Sequence, residues 1–187
     1  MARWEPDTRA RLGQAALDLF ATRGFEQTTA ADIAERVGLT ERTFFRHFAD
    51  KREVLFAGQE TFLDAFVVGA EAAPAGAAPL EVVASALRSG TESFDDHRRA
   101  FARERQAVID AEPALQERER HKAAELARVL RDALAAHGIA EPAATLAAES
   151  GATVFGIAFR QWLQPDEDRS LTDLASAVLS ELRAVAS

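Results

Sequence analysis

Between Thr29 and Leu55 the chain reads TAADIAERVGLTERTFFRHFADKREVL, and no other stretch limits the fold as strongly. Thr29 and Asp32 have the Thr-x-x-Asp spacing of a capping box, in which each side chain satisfies a backbone N–H that the first helical turn leaves unpaired. Ile33, Ala34 and Val37 supply an apolar face at helical spacing. Gly38 then ends the helix, because a residue without a Cβ enters the left-handed conformation at no steric cost. Leu39 returns to the core, and Thr40 is an N-cap for a second short helix, Glu41–Phe48. Asp50 and Glu53 repeat the capping spacing, which predicts a further helix from about Lys51. Two short helices about a glycine turn form a helix-turn-helix, whose second helix enters the major groove of DNA.

That arrangement assigns roles to individual residues. Glu41, Arg42, Thr43 and Phe44 occupy the first turn of the second helix, from which base edges are reached. Arg42 suits guanine O6 and N7, and Thr43 or Phe44 suits a thymine methyl. Arg46 and His47 lie further along, where phosphate contacts are expected. Thr28 and Thr29 stand at a helix start, where hydroxyl and N–H groups meet a phosphate. Thr40, which caps the second helix, and Phe45, within it, complete the expected DNA-facing set. Upstream, Leu12, Ala15, Ala16, Leu19 and Phe20 predict a supporting helix over residues 7–23, with Asp7 as its N-cap. Arg9 and Arg11 within it, and Arg3 just before it, lie either near the DNA backbone or free in solvent.

The run Ile33-Ala34-Glu35-Arg36-Val37-Gly38-Leu39-Thr40, then Thr43-Phe44-Phe45-Arg46-His47-Phe48 and Asp50-Lys51, resembles the DNA-binding domain of TetR/AcrR-type one-component regulators. Leu19-Phe20, Arg23-Gly24-Phe25 and Thr28-Thr29 fit the same pattern. The likeness covers about the first third of the chain. It implies a ligand-responsive transcriptional regulator, most often a homodimeric repressor on a pseudo-palindromic operator, with effector pocket and dimer interface in the remainder. It also implies a phosphate contact for Lys51. One position departs: where the family commonly has tyrosine this chain has Phe45, and it contains no tyrosine at all. A phosphate contact through that hydroxyl is therefore lost, or passes to Arg46 or His47.

A net charge of −8 looks unsuited to a DNA partner until it is divided along the chain. Residues 1–52 hold nine Lys and Arg against eight Asp and Glu, whereas residues 53–187 hold thirteen against twenty-two. The acid is thus concentrated away from the helix-turn-helix, and charges beyond about 10 Å are largely screened at ordinary salt. A head near +1 favours site-specific over bulk binding. With no cysteine, disulfides, zinc fingers and thiol chemistry are excluded. No apolar run of membrane-spanning length and no signal-peptide core occur, so a cytoplasmic location is the natural reading.

Helical periodicity continues to the end and predicts an all-α chain of about nine helices. Residues 1–52 are expected to read DNA, and residues 53–187 to bind an effector and dimerise. Val54, Leu55, Phe62, Leu63, Phe66 and Val67 predict one long helix from Asp50 to about Ala70, followed by the loop of residues 72–79. Further helices are expected over residues 80–94, 97–109, 113–138 and 142–164, and from Ser170 onward. Phe62, Phe66, Leu87, Phe94, Phe101, Leu126, Leu130, Phe155 and Phe159 are body positions that form either core or the lining of an apolar pocket, with His97, Arg105 or Gln106 as its polar handle. Gly151 and Gly156 inside a helix imply close packing or room for a ligand. Leu171, Leu174, Val178 and Leu182 form a seam that, with Ala147, Gly151 and Val154, is expected to pair across a two-fold axis. Glu117, His121 and Glu125 share a helical face, read as an ion-pair surface rather than a metal site; no metal or cofactor is expected. No phosphate loop or nucleophile elbow supports an enzyme. The competing reading is a helical interaction protein whose helix-turn-helix no longer reads DNA.

Overall fold

The structure is a computed structural model that describes residues 8–185. Among the described residues there are nine α-helices and no strand: α1 (Thr8–Arg23), α2 (Ala30–Arg36), α3 (Glu41–His47), α4 (Gln59–Glu71), α5 (Pro79–Thr91), α6 (Asp96–Ala111), α7 (Pro113–Ala136), α8 (Ala143–Trp162) and α9 (Leu171–Val185). None is long and apolar enough to cross a membrane. Asp7, Arg3 and Trp4 lie outside the described residues. Local caps open the body helices: Asp95 Oδ1 accepts from the Arg98 N–H at 3.0 Å, Pro113 opens α7, and Ser170 Oγ accepts from the Asp173 N–H at 3.0 Å.

One expected element divides. In place of a single helix from Asp50 to Ala70, a 3₁₀ turn spans Glu53–Phe56, and α4 starts only at Gln59. Asp50 does cap, its Oδ1 accepting from the N–H groups of Arg52 at 2.8 Å and Glu53 at 3.2 Å. Gly58 then adopts a φ of +83°, a conformation that no helix interior tolerates.

Two compact units emerge, each with its own core. The first takes the residues up to Gly58 together with Arg103–Glu119, so the second half of α6 and the start of α7 belong with the N-terminal helices. Its core buries Leu12, Leu17, Ile33, Phe44, Ile109 and Leu115. The distant segment is fastened through Phe56, whose ring lies 4.8 Å from the Arg105 guanidinium and 4.9 Å from that of Arg118. Arg105 Nε donates to the Leu55 carbonyl at 2.7 Å while its Nη2 meets Glu119 at 2.9 Å. Arg118 grips Glu53 with two hydrogen bonds of 2.7 and 3.1 Å.

The second unit holds Gln59–Ala102 and the chain from Arg120 onward. Helices α4 and α5 pack closely because both contacts run over glycine. A Cβ on Gly69 would lie 2.6 Å from the Ser85 carbonyl oxygen, and one on Gly90 would lie 2.2 Å from the Phe66 ring. A Cβ on Gly151 would likewise lie 2.9 Å from Val83 Cγ1 and 3.1 Å from Leu130 Cδ1, whereas one on Gly156 would meet only the end of Arg160 at 3.5 Å. Thr91 and Thr172 hydroxyls share a hydrogen bond of 2.9 Å between α5 and α9.

These distances set an expected outcome. Gly69→Ala gains roughly 1 kcal/mol of intrinsic helix preference, yet forces α4 away from α5 backbone, and overpacking of this kind costs about 1–3 kcal/mol. The net effect in urea or thermal unfolding is a lowered midpoint. An unchanged or raised midpoint would show that the α4–α5 spacing yields freely.

Candidate nucleic-acid interface

Local chemistry builds the head. The Thr29–Asp32 box closes fully: the Asp32 carboxylate accepts from the Thr29 N–H at 2.8 Å, and Thr29 Oγ1 accepts from the Asp32 N–H at 3.1 Å. The Thr29 hydroxyl, which donates to the same carboxylate, and then the Thr29 N–H hold the Asp32 carboxyl below its ordinary pKa. At the other end Gly38 takes a φ of +73°, so its N–H reaches the Glu35 carbonyl at 3.0 Å and the Leu39 N–H reaches that of Ala34 at 2.9 Å. That pair of bonds is the Schellman closure of a helix. Thr40 caps α3, its Oγ1 accepting from the Thr43 N–H at 3.3 Å and lying 3.0 Å from the Thr43 hydroxyl.

Helix α1 supports both short helices from behind. Arg11 donates to the Val37 carbonyl at 2.8 Å and Arg9 to the His47 carbonyl at 3.0 Å, so each guanidinium satisfies the C-terminal end of one of the two helices. Lys51 acts similarly: its ammonium lies 4.2 Å from the Phe25 ring centroid and donates to the carbonyls of Phe25 at 2.8 Å and Thr28 at 3.3 Å. Two of its three donors therefore hold the turn between α1 and α2.

Burial sorts the expected DNA-facing residues. Thr29, Thr40, Glu41, Arg42, Phe45 and Arg46 are exposed, with Thr43 half-buried beside them. Arg42 and Arg46 have no hydrogen-bond or salt-bridge partner among the described residues, so their guanidiniums are available to a ligand. Phe45 is 52% exposed on the outer side of α3, an apolar ring held in water. Two residues are corrected. Thr28 is fully buried and spends its hydroxyl on the Gly24 carbonyl at 2.9 Å, which leaves nothing for a phosphate. Phe44 is also fully buried, 5.5 Å from the Phe48 ring, and is core rather than a thymine contact. His47 is half-buried, with its Nε2 enclosed and without a hydrogen-bond partner among the described residues.

Of the body residues, the structure joins Phe62, Phe66, Phe94, Phe155 and Phe159 into one cluster, with ring centroids 4.9 to 6.2 Å apart. Leu87, Leu126 and Leu130 are fully buried in the core beside it, and Phe101 is 37% exposed, outside the cluster. The expected polar handles are elsewhere: Arg105 serves the 3₁₀ turn, Gln106 donates to Asp110 at 2.7 Å, and His97 is exposed. Trp162, three residues after Phe159 and thus on its helical face, joins the cluster instead, under Arg99. A separate groove of about 420 Å³ runs along Val67, Glu71, Val129, Ala133 and His137.

The expected dimer seam faces inward. Ala147, Gly151, Val154, Leu171 and Leu174 are buried within the protomer, and Val178 and Leu182 pack on the same core. Because α5 lies against both α8 and α9, the richer apolar face of each is consumed inside the unit. The faces left outward carry Leu146, 65% exposed, with Ser150, Thr153 and Ile157 on α8, and Ala177, Ser180 and Ala184 on α9.

Two family models match this chain. The family described as bacterial regulatory proteins, tetR family, matches residues 13–57, and that described as MftR C-terminal domain matches residues 77–187. The HTH-type transcriptional regulator TcmR of Streptomyces glaucescens is 44% identical over 82 residues, 44% of this chain. That stretch spans only 36% of TcmR. Two solved structures are similar in fold: Thermus thermophilus FadR, a TetR-family repressor in complex with lauroyl-CoA, and a transcriptional regulator from Rhodococcus sp. Rha1. The first has a TM-score of 0.55 at 21% identity, covering 94% of this chain and 93% of its own. The second has a TM-score of 0.53 at 23% identity, covering 95% and 97%.

His47 supplies a check on the head. Burial, then the neighbouring charges of Arg46 and Arg9, hold its imidazole below the ordinary value of 6.5. A depressed folded-state value means stability that is complete above pH 6.5 and is lost as pH falls through the folded pKa. In an NMR titration the His47 ring protons are expected to shift with a midpoint below 6.5. A midpoint at or above that value would place the ring in open solvent.

Proposed function

The chain belongs to the TetR family of bacterial transcriptional regulators, and we propose that it acts as a homodimeric repressor, released from a pseudo-palindromic operator by a small apolar or amphipathic effector. The observation that carries this reading is the outer face of α3, where Phe45 stands exposed beside Arg42 and Arg46, two exposed arginines with no hydrogen-bond or salt-bridge partner among the described residues. In this reading residues 1–52 read DNA, and residues 53–187 dimerise and sense in the cytoplasm. Arg42 addresses a guanine edge, Thr43 and Phe45 approach sugar or thymine methyl groups, and Arg46 takes a phosphate. Thr29, Thr40 and Glu41 flank them, and Lys51 offers its third N–H to the backbone. Two such helices enter successive major grooves about 34–36 Å apart, as in helix-turn-helix dimers generally.

Dimerisation is assigned to the outward faces of α8 and α9. Leu146, Ser150, Thr153 and Ile157 fall at steps of four, three and four, the spacing of a helix–helix seam. The effector is assigned to the phenylalanine cluster of the second unit. Release requires that it favour the arrangement unable to fit the operator; each tenfold preference supplies about 1.4 kcal/mol.

Two outcomes test the reading. In anisotropy titrations on DNA recovered by in vitro selection, Arg42→Ala should weaken the selected site by about 1–3 kcal/mol, the value of one bidentate base contact, while random DNA changes little. Equal losses on both DNAs would remove Arg42 from the base-reading set, and no salt-sensitive binding at all would favour the interaction-protein alternative. In light scattering, Leu146→Arg should convert a dimer to a monomer with helicity retained. A dimer that persists would move the interface elsewhere.

A further inference from the structure

The side chain of Trp162 is fully buried, yet its indole N–H has no hydrogen-bond partner among the described residues. Arg99 lies beside it, 91% buried (9% exposed), with its guanidinium carbon 5.1 Å from the indole centroid. Both Arg99 terminal nitrogens are committed: Nη1 donates to the Glu167 carbonyl, and Nη2 donates to the Arg169 carbonyl at 2.8 Å and pairs with Asp96 at 3.0 Å. Its Nε is buried and, like the indole nitrogen, unpartnered. Buried donors are almost always satisfied in folded proteins, because desolvation without a partner is unfavourable. Here two occur on one contacting pair.

Their surroundings are equally specific. Phe94 and Phe159 lie 5.8 Å from the Trp162 ring and continue through Phe155 to Phe62. Trp162 is fully enclosed, whereas those four phenylalanines are only half-buried, so the cluster is solid at the donors and partly open along its rings. The Asp96 carboxylate opposite Arg99 is 85% exposed and so screened by water, which leaves a cationic character at the enclosed end.

We propose that Trp162 and Arg99 are the polar end of the effector site, and that the effector is an amphipathic acid. Its ring-bearing body displaces part of the phenylalanine cluster, and its carboxylate oxygen accepts from the Trp162 indole N–H and the Arg99 Nε–H. This rests on the assignment of the cluster as the effector site. It adds the chemical class of the ligand: a hydrocarbon leaves both donors unpaired, and an amine meets a cation.

The chain has two tryptophans, so Trp4→Phe leaves Trp162 as the sole indole emitter. That full-length protein is titrated with 4-butylbenzoate, butylbenzene and 4-butylbenzylamine. The expected result is a saturable change of Trp162 emission, with the acid at least about tenfold tighter than the other two, the worth of a charge-assisted hydrogen bond. By calorimetry, Trp162→Phe and Arg99→Lys should each weaken the acid about tenfold and leave butylbenzene unchanged. Equal affinity for the three probes, or emission that none of them moves, overturns the proposal and leaves the two donors to water alone. Should either variant fail to fold, the acid-over-hydrocarbon preference of the parent decides by itself. Operator release is scored separately. A compound that frees the operator without moving Trp162 emission keeps the regulator and overturns this site. Acid binding that moves emission but never frees the operator keeps this site and overturns its regulatory role.

Discussion

Helices of seven residues do not hold themselves in water, since nucleation fixes several dihedrals before the first hydrogen bond is gained. Both α2 and α3 are of that length. Everything about the head follows from how they are held from outside. Phe44 drives the inner face of α3 into the core, the Thr29–Asp32 and Thr40 caps satisfy the starts, and Arg11 and Arg9 satisfy the ends. What remains is a thin exposed strip of α3, and its side chains are the ones free to meet another molecule.

The same dependence explains why residues 103–119 belong to the first unit. The N-terminal helices alone leave the 3₁₀ turn with an exposed ring, and Phe56 is instead clasped by the guanidiniums of Arg105 and Arg118. Each arginine is also tied to a carboxylate, Glu119 or Glu53, so the cations are satisfied where they are partly buried. The second unit solves its packing differently. Glycines at 69, 90 and 151 let helices approach until backbone, ring and aliphatic side chains occupy the place a Cβ would take.

The head was largely legible in the sequence, because caps and a glycine turn are local chemistry written within four or five residues. Thr29, Asp32, Gly38 and Thr40 each do what their spacing implied. Misjudgements came where a choice depended on neighbours. Phe44 and Phe45 are adjacent and identical, and nothing local says which turns inward. Thr28 has a hydroxyl suited to phosphate, but the Gly24 carbonyl lies closer. The break at Gly58 did carry a signal, a glycine between the apolar run Leu55-Phe56-Ala57 and the polar run Gln59-Glu60-Thr61, though capping at Asp50 suggested an uninterrupted helix.

By itself, then, the sequence determined an all-α chain with a helix-turn-helix at its start, since helical periodicity, caps and turns are set by bonds between near neighbours. Only the tertiary structure decided which faces those helices spend. Leu171 and Leu174, with Ala147 and Gly151, had the pattern of an interface, but an apolar stripe is equally content against its own chain. Helix α5 covers it. The outward stripe from Leu146 to Ile157, the ring cluster ending at Trp162 and Arg99, and the fastening of residues 103–119 all arise from contacts between segments far apart in the chain. Burial is a property of the assembled neighbourhood, and periodicity can report only that one face will be buried.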